Sequence, residues 1–366
     1  MLALASAAAA PACKGRGKSG AGATAGSDAG PASDAATAAD AATPRADLSF
    51  IRGAIYAAAE HDHHITAQRL DPATGAWVPI GGTTDLFPTS FMLRGGVLVI
   101  ATEGATAADH VEQLAIVRGT AIEHFGPRAG AVRNPTVAAD GTVVVETSEQ
   151  GFRDLYRVDA AGASSRLTDN REGNFEPSLA PSGKDVVFSS SRDGDSEIYR
   201  APVAGGPATR LTAFHKDDWS PQWSPAGAHI VFLSDREGPP RLFLMSPDGT
   251  AQRRATPETD LDVSEDLPRW SPDGSALLFT RGSGIHQRLS LLDLASSRVR
   301  ILTPEGFADF DAAWSPDGQY LAVLRTDVRV TRAIAAGSVL LIRATDGAQL
   351  ADLGPSSGIR FVRWLP

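Results

Sequence analysis

The sequence has very little cysteine and no long apolar segment in its body. Cys13 is the only cysteine among 366 residues, so no intrachain disulfide framework can hold the fold together. Beyond the N-terminal residues, no apolar run approaches the roughly 18 residues that a membrane-spanning helix needs. No segment carries a sustained helical period. These absences favour a β-rich domain that is stabilised by its own apolar core.

Basic residues are also scarce. The chain has 34 Lys and Arg against 43 Asp and Glu, which gives a net charge of −9. Binding to a nucleic-acid backbone needs clustered Lys and Arg, and the sequence has no basic stripe interleaved with aromatic residues. We therefore expect no nucleic-acid partner.

One short motif recurs at nearly fixed intervals. Trp-Ser-Pro-Asp-Gly occupies 270–274 and 314–318, and altered copies occupy 223–227, 179–183 and 137–141. The closing glycines are spaced by 42, 44, 47 and 44 residues. A period in the low to mid forties is typical of a propeller blade, a four-stranded antiparallel unit that must stack on neighbours to bury its faces.

Each repeat has the same internal order. An apolar strand such as 230–233 follows the glycine, and a polar turn such as 235–238 leads to a second short strand and a Gly-bearing hairpin. We assign the motif a scaffold role. Its Trp buries a large face, Ser and Asp cap the turn, Pro fixes φ, and Gly permits a positive φ.

Residues 47–366 span 320 positions, which a step near 44 divides into about seven blades. We predict an all-β propeller of seven four-stranded blades, with six blades as the alternative because the unit at 86–125 is degenerate. Residues 360–366 look like an innermost strand, with Trp364 in the register of Trp314, and no second strand follows. We expect this C-terminal strand to pair into the N-terminal blade and close the ring.

The repeats resemble those of TolB-type propellers. Units of that family carry Pro-x-Trp-Ser-Pro-Asp-Gly, a Ser-x-Arg-Asp-Gly turn, an Ile-Tyr strand and a closing Arg-Leu-Thr, which this chain matches at 221–223, 268–270, 190–194, 198–199 and 210–212. The resemblance is strong over about 134–318. It implies a propeller that binds a partner in the bacterial cell envelope. Propellers of this kind also gate prolyl oligopeptidases and occur in some polysaccharide lyases, so the family does not fix an activity.

TolB itself carries a separate α/β domain ahead of its propeller. The residues before Asp47 are too few and too polar to form one. The resemblance therefore extends to the propeller, and a place in the Tol–Pal system does not follow from it.

The N-terminus has the pattern of an exported protein. Residues 1–13 form an apolar segment ending in small residues at Cys13, which resembles a bacterial lipoprotein signal whose cysteine is lipidated. An ordinary cleaved signal peptide or an Ala-rich tip is the alternative. Residues 14–46 are rich in Gly, Ala, Ser and Asp, so we expect a disordered tether. We expect a periplasmic or outer-membrane lipoprotein.

Acidic residues precede the predicted innermost strands at corresponding places. They are Glu176, Asp217, Asp218, Glu265, Asp266, Asp309 and Asp311. We expect these carboxylates to gather round one mouth of the central channel, where they would attract a cation or a basic peptide. Trp219, at the same edge, adds an aromatic anchor of the type that dominates interfaces. The alternative is that the carboxylates cap turns and keep the surface soluble.

The sequence 60–64 is the one dense group of metal-type side chains. Its His61, His63 and His64 are weak candidates for a Zn²⁺ or Cu²⁺ site. We favour instead a solvated hairpin between the second and third strands of the first blade, and we expect no cofactor.

Two functions of different class remain open. The first is a non-catalytic binding module, which we expect to be a monomer that engages a protein or peptide at the channel mouth. The second is a lyase-like or hydrolase-like propeller enzyme acting on a small molecule or a polysaccharide. The sequence shows no recurring set of His, Arg and carboxylate residues at the channel mouth, so we favour the binding module.

Lipidation of Cys13 is directly testable. Mass spectrometry of the protein from native membranes should find a diacyl or triacyl glycerol adduct on Cys13 as the first residue, since the thiol that follows the cleavage site carries the lipid. The Cys13→Ala variant should lack the adduct. An intact Met1, or cleavage at another position, would show that the protein is not a lipoprotein.

Overall fold

The computed structural model describes residues 47–61, 64–80, 87–94, 97–103, 112–118, 121–129, 132–148, 151–257, 263–282, 286–327, 338–355 and 359–366. Cys13, the segments 1–13 and 14–46, and His63 lie outside these residues. The described residues form twenty-eight strands in seven four-stranded antiparallel sheets. The seven-bladed propeller is therefore confirmed, and the six-bladed alternative is wrong.

The strands follow one another from the innermost to the outermost within each blade, except in blade 1. Blade 1 contains β1 (Ala54–His61), β2 (His64–Asp71), β3 (Ala76–Pro79) and, on its inner edge, the C-terminal strand β28 (Ile359–Leu365). Blade 2 contains β4 (Phe87–Arg94), β5 (Val97–Glu103), β6 (Glu112–Arg118) and β7 (Ala121–Ala129); blade 3 contains β8 (Val132–Val137), β9 (Val143–Thr147), β10 (Asp154–Val158) and β11 (Ser164–Arg166). Blade 4 contains β12 (Asn174–Leu179), β13 (Asp185–Ser190), β14 (Glu197–Pro202) and β15 (Thr209–Arg210); blade 5 contains β16 (Asp218–Trp223), β17 (Ile230–Ser234), β18 (Arg241–Met245) and β19 (Arg253–Arg254). Blade 6 contains β20 (Glu265–Trp270), β21 (Ala276–Arg281), β22 (Arg288–Asp293) and β23 (Arg298–Ile301); blade 7 contains β24 (Phe307–Trp314), β25 (Tyr320–Asp327), β26 (Ser338–Arg343) and β27 (Gln349–Pro355).

The C-terminal strand closes the ring as the sequence predicts. β28 pairs antiparallel with β1, with Ala57 opposite Val362 and Tyr56 opposite Arg363. β24 of blade 7 contacts β28, and β28 in turn contacts β4 of blade 2. The indole Nε1–H of Trp364 donates to the Arg52 carbonyl at 2.6 Å. The last strand of the chain therefore supplies the inner edge that the first blade lacks.

The apolar core is divided among the interfaces between blades. Seven clusters of buried side chains occur, and each contains residues from two neighbouring blades. Between blades 4 and 5, for example, Val187 and Ile198 pack with Phe232 and Phe243. Middle strands such as β9, β17 and β18 are buried along their whole length, so both faces of their sheets are covered. A single blade would therefore expose two apolar faces.

The Trp-Ser-Pro-Asp-Gly motif links neighbouring blades and fixes a turn. Trp270 Nε1–H donates to the Gln222 carbonyl of blade 5 at 3.3 Å, and Trp314 Nε1–H donates to the Arg269 carbonyl of blade 6 at 3.4 Å. Within the turn, Ser271 Oγ–H donates to Asp273 at 2.7 Å, and Gly274 has a φ of 72°. Glycine adopts this left-handed conformation at little cost. These contacts explain the scaffold role of the motif.

Three innermost strands begin with a polar, fully buried residue, and a fourth has one near its start. The first residues are Asn174, Asp218 and Glu265, and the fourth buried residue is Asp309, the third residue of β24. Thr256, a counterpart of the Thr in Arg-Leu-Thr, donates its hydroxyl to Glu265 at 3.0 Å, and the Leu289 amide of blade 6 donates to Asp309 of blade 7 at 3.3 Å. Buried charges require partners of this kind. The carboxylates therefore join the end of one blade to the start of the next.

Asp218 lies at the interface where two buried carboxylates meet. Burial raises the pKa of Asp218 to about 6, the Ser234 hydrogen bond and the Arg236 charge oppose the rise, and the charge of Glu197 adds to it. Arg236 Nη2 donates to Asp218 at 2.7 Å. The ionised form of this carboxyl is therefore less favourable in the folded protein than in the unfolded chain.

The consequence is a pH-dependent stability. Between the ordinary value of 3.8 and a folded pKa of about 6, the folded protein binds a proton that the unfolded chain releases. Lowering the pH from 7 to 5 should therefore add about 1.3 kcal/mol of stability through Asp218. Urea unfolding of wild type and Asp218→Asn at both pH values measures it. An equal change in the two proteins would contradict the assignment.

The closing strand can be tested by Trp364→Ala. Trp364 is buried in the apolar cluster between blades 7 and 1, so its truncation should lower the free energy of unfolding by about 3–5 kcal/mol. Urea unfolding measures the loss. Val78→Ala, on the outermost strand of the same blade, alters a side chain that is 48% exposed and should change stability by less than about 0.5 kcal/mol. Similar effects of the two changes would contradict ring closure through β28.

Candidate functional site

The candidate site is the inner wall and mouth of the channel on one face of the ring. The first and third strands of each blade run in the same direction, so both begin at the same face, which we call the top face. Asp217 and Trp219 lie at this face, at the start of β16, and are partly buried. Asp217 accepts a hydrogen bond from the Ser196 amide at 2.8 Å, which ties blade 5 to blade 4.

Three of the predicted carboxylates are not at the channel mouth in an accessible form. Asp218, Glu265 and Asp309 each have 0% exposure and are engaged in contacts between blades. The expectation that they line an open acidic rim is wrong in this respect. The physical reason is the strand alternation: these three side chains, near the starts of their innermost strands, point into the interface between blades, and their neighbours point elsewhere.

Glu176 and Asp311 lie at equivalent positions, three residues before Leu179 and Trp314, which end their innermost strands. Each carboxylate accepts hydrogen bonds from the next blade. Glu176 accepts from the Ser220 amide at 2.8 Å and from the Ser220 hydroxyl at 2.8 Å. Asp311 accepts from the Val362 amide at 3.1 Å. The two carboxylates therefore fasten successive innermost strands together along the channel wall.

The wall of blades 3 to 5 is acidic. The Glu176 amide donates to Glu146 at 3.1 Å, and Glu146 also accepts from Asn134 at 3.0 Å and from Arg153 at 2.9 Å. Burial raises the pKa of Glu146, while the Arg153 charge opposes that rise. Two carboxylates and one arginine thus share this part of the wall.

Asn134, Glu176, Ser220 and Leu267 hold a left-handed backbone in the innermost strands of blades 3 to 6, with φ between 48° and 55°. Each precedes a proline. This conformation is strained for residues other than glycine, and such strain clusters at functional sites. Here it turns the amides of 176 and 220 towards the carboxylates of the preceding blade.

The wall of blades 6, 7 and 1 carries two arginines. Arg363 Nη1 lies 2.7 Å from Asp311 Oδ2, and Arg269 Nη2 lies 3.6 Å from Asp311 Oδ1. The three side chains come from three consecutive innermost strands, β20, β24 and β28. Sequence reasoning missed the arginines. The available signal was their common position, immediately before Trp270 and Trp364.

Burial and charge act on the ionisable groups of this wall. Burial lowers the pKa of Arg269, the positive charge of Arg363 lowers it further, and Asp311 and Asp266 oppose the change. Burial raises the pKa of Asp266, which accepts a hydrogen bond from the Leu267 amide at 2.7 Å. Arg269 and Asp266 are thus held in a less hydrated environment than surface residues.

Exposed aromatic side chains lie towards the top face. Phe152 and Phe214 precede β10 and β16 and are 46% and 47% exposed, and Phe310, the fourth residue of β24, is 40% exposed. The Arg236 guanidinium lies 5.0 Å from the ring centre of Phe214, and the Arg153 guanidinium lies 5.8 Å from the ring centre of Phe175. Exposed aromatic rings beside charged groups are typical of protein interfaces.

The histidine candidates flank the hairpin between β1 and β2. His61 and His64 are opposite one another in the strand pairing. This is the predicted position between the second and third strands of blade 1. The metal site remains an untested, weak prediction, since His63 lies outside the described residues. Among the residues that the structure describes, no group of three or more His, Cys, Asp or Glu side chains is placed to hold a metal ion.

The same described residues include no helix that is long and apolar enough to cross a membrane.

Solved structures share this fold at low sequence identity. TolB from Acinetobacter baumannii is 19% identical with a TM-score of 0.54, over 85% of this chain and 82% of that one. A puromycin-hydrolysing peptidase from Mycobacterium tuberculosis is 13% identical with a TM-score of 0.60, over 85% of this chain and 54% of the peptidase. An oligogalacturonate lyase in complex with manganese is 14% identical with a TM-score of 0.56, over 82% and 85%. These likenesses show the fold alone.

No curated protein matches the chain in sequence. The model of the TolB β-propeller domain family matches residues 174–364, which is more than half of the chain. The matched part runs from the first residue of blade 4 to the closing strand, and it includes both arginines of the channel wall. The chain therefore belongs to the TolB β-propeller family.

Proposed function

We propose that the protein is a non-catalytic binding module of the bacterial cell envelope that engages a protein or peptide at the top-face mouth of its channel. The observation that carries this proposal is the combination of exposed Phe152, Phe214 and Phe310 with charged side chains on one face. Binding sites for proteins combine aromatic anchors with a polar surround in this way.

The residues proposed to contact the partner belong to the mouth and the upper wall. They are Glu176, Asp217, Trp219 and Asp266, which are only partly buried. The buried Asp218, Glu265 and Asp309 would act indirectly, because their contacts between blades hold the starts of the innermost strands in place. The acidic part of the mouth is thus smaller than the sequence suggests.

The envelope location rests on the N-terminal sequence and on the family. A lipid on Cys13 and a tether over 14–46 would hold the propeller near a membrane. TolB from Acinetobacter baumannii shares the propeller fold. The proposal treats the protein as an exported monomer and does not extend to any named partner.

A propeller enzyme acting on a small molecule or a polysaccharide is the second candidate. It rests on the fold shared with the peptidase and the lyase. The chain corresponds to about half of the peptidase. His215, the histidine nearest the acidic mouth in sequence, is exposed. The binding module has the stronger support, because the exposed aromatic residues of the top face suit a macromolecular partner.

Photo-crosslinking tests the location of binding. Benzoylphenylalanine at position 310 or 214 should crosslink one discrete polypeptide in native cells, because these side chains are exposed at the proposed mouth. Immunoblotting of the full-length protein measures the shift in mass.

The matched controls are positions 301 and 78, which are 48% exposed and lie on outermost strands of blades 6 and 1. They should give no discrete product. Equal crosslinking from the outermost strands, or none from the top face, would overturn the proposal.

A further inference from the structure

Two guanidinium groups on one side of the channel share a single carboxylate. Arg363 contacts Asp311 Oδ2 at 2.7 Å, and Arg269 approaches Asp311 Oδ1 at 3.6 Å, which is too long for a hydrogen bond. The Val362 amide also donates to Asp311 Oδ2 at 3.1 Å. Both contacts from blade 1 therefore fall on Asp311 Oδ2, and Arg269 makes a weak ionic contact with Oδ1.

Arg269 has donors that the described residues do not satisfy. Its one hydrogen bond there runs from Nη1 to the carbonyl of the adjacent Pro268 at 3.2 Å. Arg363 uses only Nη1, for Asp311 and for the Val362 carbonyl at 2.7 Å. A guanidinium presents five N–H donors in a planar fork. The side chains of Arg269 and Arg363 are 31% and 28% exposed, so a ligand can reach them.

The charges on the opposite wall have a different arrangement. Glu176, on blade 4, lies nearly opposite blade 7 in a ring of seven, and both of its carboxylate oxygens accept hydrogen bonds from Ser220. Asp266 moderates the positive charge near Arg269. The unused donors are therefore concentrated on the arginine wall, whereas the acidic wall is occupied by its own contacts.

We propose that Arg269 and Arg363 form a carboxylate-binding site in the channel, which takes the terminal or side-chain carboxylate of a peptide. Planar carboxylates match the guanidinium fork and form charge-assisted hydrogen bonds with it, which gain strength in a partly desolvated channel. The inference deepens the proposed function and rests on it for the peptide nature of the ligand. The ligand group is therefore negatively charged, whereas the acidic residues of the sequence suggest a cationic ligand.

Three short peptides test the site and separate the two sources of carboxylate. The probes are N-acetyl-trialanine with a free C-terminus, its C-terminal amide, and N-acetyl-Ala-Glu-Ala amide. Titration of the full-length protein, followed through the Nε–H NMR signals of its arginines, measures binding. We expect the signals of Arg269 and Arg363 to shift with one or both carboxylate peptides and not with the neutral amide.

Substitutions distinguish this site from general attraction to arginine. Arg269→Gln should weaken binding of the carboxylate peptide by about tenfold or more, as expected for loss of a hydrogen bond to a charged group. Arg269→Lys keeps the positive charge but lacks the planar fork of donors. Its affinity for the carboxylate peptide should therefore fall between those of wild type and Arg269→Gln. Arg118→Gln is the matched control, since Arg118 is exposed on β6 and paired with Glu123. Thermal unfolding confirms that each variant is folded.

Equal binding of the amide peptide, or undiminished binding by folded Arg269→Gln, would overturn the site. The crosslinking experiment gives an independent readout of the proposed function. Crosslinks at position 310 that persist without carboxylate binding would refute the site and leave the binding module intact. Carboxylate binding without any top-face crosslink would support the site and refute the protein or peptide partner.

Discussion

Apolar contact between neighbouring blades is the interaction on which the whole structure depends. Every buried cluster joins two blades, so no sheet is stable with either face uncovered. The same requirement places β28 against β1, since an incomplete first blade would leave the interface with blade 7 open. Polar groups at these interfaces need partners there, and this explains why the indoles of Trp270 and Trp314 and the carboxylates of Glu265 and Asp309 bond across blades.

Most of the fold was predictable because it is repeated. The spacing of the glycines gives the blade, the length gives the number of blades, and the register of Trp364 gives the closure. Blade 2 was the weak point, since it lacks the motif and is defined only by the alternating apolar residues of β4 to β6. Its fold follows from packing against blades 1 and 3, which sequence spacing alone does not reveal.

The candidate site was less predictable because adjacent residues of a strand point in different directions. Asp218 and Trp219 are neighbours in sequence, yet the first is fully buried and the second is partly exposed. The acidic residues before each Trp therefore fall into two groups. Some are buried in contacts between blades, and others lie on the channel wall. Arg269 and Arg363 were not predicted as site residues, because each precedes a scaffold Trp. Their shared environment depends on Asp311 of a third strand.

Proline distinguishes blades 4 and 5 from blades 7 and 1. In blades 4 and 5, the residue before Pro177 or Pro221 has a left-handed backbone, and its amide bonds to a carboxylate of the preceding blade. Blades 7 and 1 have Ala312 and Val362 in place of the proline. Val362 keeps its amide and donates it to Asp311, so the backbone already satisfies part of the carboxylate that faces the two arginines. Donors consequently exceed acceptors on this wall, and a ligand carboxylate is the group that restores the balance.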